Sequence, residues 1–130
     1  MNALEKNAVV ISAILAKLLD IGISNEIVAD TGFEVEEGLR STIEPCMNWL
    51  ANEGLVKWAN TAHSLGGYAW IGPVLTSRGI AIMGARLDFD GQEVTVAEYV
   101  NEPRNLSGNY SAIGDFLGSA LGGFTKSISS

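Results

Sequence analysis

Ser41-Thr42-Ile43-Glu44-Pro45 opens the stretch that decides the fold, and Leu75-Thr76-Ser77-Arg78-Gly79 closes its central part. Ser41 and Glu44 stand at capping-box spacing, and Pro45 is tolerated only within a first helical turn. A helix is therefore expected to begin at Ser41 or Thr42. Ile43, Cys46, Met47, Leu50 and Trp49 supply its apolar face. Gly54, after Glu53, is a natural stop. Leu55, Val56 and Trp58 then read as a short strand, Ala59 to Gly67 as a polar loop, and Tyr68, Trp70 and Ile71 as a returning strand. Pro73 ends that strand or confines it to an edge. Thr76 or Ser77 caps a helix carrying Ile80, Met83 and Leu87.

Working outward toward the N-terminus, Leu4, Ala8, Ile11, Leu15 and Leu18 recur at helical spacing, widened by Val10, Ile14 and Leu19. This predicts an amphipathic helix ended by Gly22. Ser24 is expected to cap a short second helix through Val28, which Thr31-Gly32 breaks. Glu34 to Arg40 reads as helical, with Val35 and Leu39 inward and Glu34, Glu36 and Glu37 as a solvated start. Toward the C-terminus, Asp90-Gly91 between Leu87–Phe89 and Val94–Val96 signals a hairpin turn. Asp88, Asp90 and Glu93 hint at a calcium loop, but Gly91 comes two positions too early for an EF-hand and a third loop ligand is missing. Ala97 to Val100 extends as a short helix.

The 130 residues and 47% hydrophobic content fit one domain with a single core. Eight Lys+Arg face fifteen Asp+Glu, a net charge of -7. That balance disfavours nucleic acid and anionic membrane and suits a basic protein partner, although solubility alone accounts for it. The single Cys46 fits a reducing compartment, and the expected location is cytoplasmic. The apolar run Val9 to Ala16 is flanked by Lys6 and Lys17 and lacks a clear cleavage site, and no segment approaches a membrane-spanning length. No nucleophile elbow, P-loop, dinucleotide fingerprint or metal spacing is present. The chain is expected not to be an enzyme, and no catalytic, cofactor or metal residues are expected.

The block Trp49-Leu50-Ala51-Asn52-Glu53-Gly54-Leu55-Val56, a hairpin, and then Leu75-Thr76-Ser77-Arg78-Gly79 resembles winged helix-turn-helix proteins over roughly residues 4–87. The resemblance implies an α+β, mainly helical fold with a small β-hairpin wing. It also implies a recognition face at Arg40, Thr42, Glu44, Asn48 and Asn52, of which the asparagines suit adenine. The implied wing carries Trp58, His63, Tyr68 and Trp70. The charge disagrees with DNA reading: the helix holds no Lys or Arg, Glu44 and Glu53 repel phosphate, and only Arg40, Lys57 and Arg78 are near. The three wing aromatics read either as an exposed binding patch or, for at least two of them, as cross-strand packing.

The reading divides the chain into a winged-helix-like domain at 1–100, a linker at 101–109 and a tail at 110–130. In the tail, Gly114, Gly118 and Gly122 recur every fourth residue beside Phe116, Leu117 and Leu121. On a helix they form a smooth groove that admits another helix closely. Each Gly costs about 1 kcal/mol of helix propensity, so a packing partner is expected. A flexible Gly/Ser-rich end is the competing reading. The expected function is a non-enzymatic protein-interaction module, homo-oligomeric through tail or wing. The alternatives are a DNA-binding regulator and a peripheral membrane attachment through the tail.

Overall fold

The computed structural model describes residues 3–64, 67–89 and 91–101, the side chains of 64 and 87–89 excepted. Within them lie four α-helices and short antiparallel strands, an α+β architecture about half helical. The linker and tail readings, including Gly114, Phe116, Leu117, Gly118, Leu121 and Gly122, fall outside the described residues.

Helix α1 spans Ala3–Ile21 and buries Ala8 through Leu15 without a break, then Leu18. A helix buried on that much of its circumference is the centre of the core and not one wall of it. Helix α2 (Ile43–Asn52) and helix α4 (Val96–Val100) pack against it. Gly22 ends α1 at φ +62, its N–H donating to Leu18 O at 3.1 Å.

Strand β1 is Ile27–Ala29. This corrects the helix expected from Ser24 to Val28. Ser24 Oγ accepts only from Glu26 N–H, and Ile27 and Val28 are β-branched residues paired with Ile71 and Trp70. A 3₁₀ turn, Asp30–Gly32, follows. The helix expected over Glu34–Arg40 is a 3₁₀ helix over Glu37–Thr42, with Leu39 buried and Val35 half-buried against the core.

That 3₁₀ helix runs straight into α2, so the capping box expected at Ser41–Glu44 does not form. Thr42 is helical at φ -86 and ψ -13 and caps nothing with its side chain. Pro45, three residues beyond it, has no N–H to offer. The other end follows expectation. Leu55 N–H donates to Leu50 O at 2.9 Å and Gly54 N–H to Ala51 O at 3.0 Å, with Gly54 at φ +79, a Schellman stop.

Strands β2 (Val56–Lys57), β3 (Asn60–Ser64), β4 (Gly67–Ile71) and β5 (Val74–Leu75) form one interrupted hairpin. Val56 pairs with Leu75, and after the break at Gly72-Pro73 pairing resumes at Asn60 with Ile71. The segment expected as a polar loop is thus mostly strand. Thr61 and the residues around it gain ladder partners from β4, which composition alone does not reveal. The resulting sheet has the order β1-β4-β3.

Helix α3 (Ser77–Met83) begins at Thr76, whose Oγ1 accepts from Gly79 N–H at 3.0 Å. It stops before Gly84, so Leu87 lies not on this helix but in strand β6 (Arg86–Phe89), while Ile80 is 54% exposed. Strand β7 (Gln92–Thr95) completes the expected second hairpin with Gly91 at φ +76. Thr95 and Glu98 then form a complete capping box that starts α4.

Candidate partner-binding face

Helix α2 turns Ile43, Cys46, Met47, Trp49 and Leu50 into the core, as its spacing predicts. The opposite face follows from the same period. Glu44, Asn48 and Asn52 stand at i, i+4 and i+8, exposed, with Pro45 exposed beside them. Thr42 and Arg40 precede this stripe and are half-buried, and the Arg40 Nε is buried without a hydrogen-bond partner. Of the five residues expected to form one face, three line up in solvent and two are drawn in. The stripe offers one carboxylate, two amides and no cation.

The cations nearest to it in sequence belong to other elements. Lys57 is exposed on β2. Arg78 is exposed in the first turn of α3, its Cδ 3.7 Å from where a Cβ on Gly54 would stand, which places it by the C-terminal end of α2. Between Arg40 and Arg78 the chain holds three cations and two carboxylates, Glu44 and Glu53, so the overall -7 arises elsewhere. This local balance is close to neutral. It neither repels a polyanion strongly nor offers the several phosphate contacts on which DNA affinity rests.

The hairpin residues separate by depth. Trp70 is 1% exposed and forms the hub of an aromatic cluster, with ring centroids 5.8 Å from Phe33, 6.5 Å from Trp58 and 4.9 Å from Tyr68. Trp58 and Tyr68 are half-buried against the core, while His63 is exposed with its ring 4.2 Å from Tyr68. All three hairpin aromatics therefore pack together, and His63 rides on the cluster's rim. Edge-to-face geometry of this kind adds about 0.5–1.5 kcal/mol per pair beyond area burial.

No family model, curated protein or solved structure matches this chain.

Cys46 lies in the core, where burial pushes its thiol up to about 12, and its Sγ–H points to Asn7 Oδ1 at 3.8 Å. A neutral thiol tied to a helix neighbour is an α1–α2 packing residue and a poor nucleophile. His63 sits on the hairpin, among the aromatics and not beside Cys46. A cavity of about 340 Å³ lies among Ala13, Lys17, Asp20, Gly32, Glu34 and Asn101, mixing both charges over a floor of small α1 residues. Among the described residues, no helix is long and apolar enough to cross a membrane.

One surface of the sheet carries no signal in the sequence. Along the sheet, Ile27 pairs with Ile71 and Ala29 with Ala69, and Ala69 pairs in turn with Ala62. Paired residues share a face, so these five side chains lie opposite Val28 and Trp70. Two of its three strands are masked locally, β1 by the cap-like Ser24 before it and β3 by its polar composition.

Proposed function

We propose that this chain is a non-enzymatic protein-interaction module on a winged-helix scaffold, binding protein through the solvent face of α2 and associating with a second copy of itself. The observation that carries the reading is the stripe Glu44–Asn48–Asn52: exposed, hydrogen-bonding, flanked by Pro45 and free of cations. The turn from α2 directly into a β-hairpin supports the winged-helix part. Amide side chains on a rigid helix pair readily with peptide groups or with other amides, and a single carboxylate favours a basic partner. Light scattering over a concentration series tests self-association. The expected mass per particle is a multiple of 13.8 kDa that falls on dilution, and a constant 13.8 kDa removes this part of the proposal.

A DNA-binding regulator is the second reading, favoured by the near-neutral balance between Arg40 and Arg78 and by Asn48 and Asn52 at helical spacing. A gel shift at low salt with random and genomic fragments separates the two, since low salt favours even weak electrostatic binders. The protein-binding reading expects unshifted DNA.

A further inference from the structure

Among the described residues the three-stranded sheet ends at β1 on one side and at β3 on the other. Its hydrogen bonds fix which groups those edges present. Gly72 N–H donates to Glu26 O at 2.9 Å, so the even-numbered residues of β4 direct their main-chain groups toward β1. Ile71 O accepts from Ala59 N–H at 2.9 Å, so the odd-numbered ones direct theirs toward β3. On β3, Asn60, Ala62 and Ser64 are the partners of Ile71, Ala69 and Gly67 and exchange main-chain bonds with them. Thr61 and His63 therefore turn N–H and C=O outward. Thr61 N–H bears this out: it donates to the exposed Asn60 Oδ1 at 2.8 Å and not to β4.

An edge strand with outward main-chain groups is a template for another strand, and folded chains commonly blunt it with Lys, Pro or an inward charge. Strand β3 carries none of these over its five residues. Between Lys57 and Arg78 the sequence holds no Asp, Glu, Lys or Arg, in a chain of net charge -7. Two copies can meet there without bringing carboxylates together. The β1 edge differs. There a two-fold axis at Val28 would set Glu26 of one copy against Asp30 of the other.

Resting on the self-association proposed above, we infer that β3 pairs antiparallel with β3 of a second copy, about a two-fold axis at Ala62. The register is self-complementary, as a two-fold contact requires. Thr61 of each copy meets His63 of the other, and the outward groups of these two pairs make four main-chain hydrogen bonds. Thr61 N–H exchanges Asn60 Oδ1 for a carbonyl of the facing strand. Ala62 meets Ala62, small enough for close approach, and Asn60 meets Ser64. The row Ala29–Ala69–Ala62 then runs on through Ala62, Ala69 and Ala29 of the second copy, so a six-stranded sheet gains one continuous outer face. One strand pair is a small contact beside the about 1,200–2,000 Å² of stable interfaces, so the dimer dissociates on dilution.

The test is light scattering over a concentration series on the full chain, on Ala62→Lys and on His63→Pro. Both positions are exposed. The first change sets two ammonium groups against each other, and the second removes an outward N–H and none that faces β4. Near-ultraviolet dichroism of the Trp70 cluster checks that each variant is folded. The expected result is a natural chain heavier than 13.8 kDa at high concentration and both variants at 13.8 kDa throughout. Ala62→Cys should also form a disulfide-linked dimer under oxidised glutathione, because such facing residues stand about 4.5 Å apart at Cα, within disulfide reach. Asn48→Cys should not, and Cys46 is buried. A heavier natural chain with folded variants equally heavy, or with cross-linking at position 48 and not at 62, leaves self-association standing and overturns the β3 pairing. A natural chain fixed at 13.8 kDa at every concentration overturns both.

Discussion

Gly79 stands in the first turn of α3, where a methyl group would lie 2.2 Å from the carbonyl oxygen of Leu55. Thr76 completes the same junction. Its N–H donates to Leu55 O at 2.9 Å, and its hydroxyl donates to Gly54 O while accepting from Gly79. The pair explains the Leu75–Gly79 sequence: it fastens α3 to the end of α2. Gly79→Ala is expected to cost about 2 kcal/mol or more through backbone overlap, and Thr76→Ala about 1–2 kcal/mol, both read from urea unfolding. Ser12 works in the opposite direction. It is 1% exposed and its hydroxyl finds no partner, so Ser12→Ala is expected to stabilise by about 1 kcal/mol in the same assay. Cys46 sets a pH limit. Burial raises its thiol from 9.0 to about 12, so the unfolded chain loses that proton first. The residue's contribution is full below about pH 9 and is lost as pH rises toward 12, and at pH 8 alkylation should require unfolding.

At the scale of elements, two sequences share capping-box spacing and only one forms the box. Thr95–Glu98 succeeds because Thr95 is extended at ψ 160 and Glu98 N–H is free to donate at 3.1 Å. Ser41–Glu44 fails because a 3₁₀ helix already occupies the approach and Pro45 lacks the N–H needed once Thr42 becomes the cap. Helices with a strong period, α1 and α2, were legible because burial repeats every 3.6 residues. Strands β1 and β3 were not, because their partners lie across the chain: Val28 is extended through Trp70, and Thr61 through the same residue. The candidate face was half legible. The period of α2 located Glu44, Asn48 and Asn52, while the burial of Arg40 and Thr42 depends on packing by other elements. The hairpin itself rests on Trp70. Trp70→Ala is expected to cost about 3–5 kcal/mol in urea unfolding and to quench the near-ultraviolet dichroism of the aromatic cluster.

At the scale of the whole molecule, charge is unevenly spread along the chain. The carboxylates that give the -7 lie mostly outside the stretch from Arg40 to Arg78. That stretch is accordingly neither acidic enough to exclude a polyanion outright nor basic enough to hold one. Asn48→Arg with Asn52→Arg adds two cations to the helix and is expected to strengthen salt-sensitive DNA binding, visible as a larger shift than that of the natural chain at low salt. The most direct test of self-association is the light-scattering mass of the full chain over a concentration series. The account predicts a mass above 13.8 kDa at high concentration that falls on dilution. A constant 13.8 kDa at every concentration would contradict it.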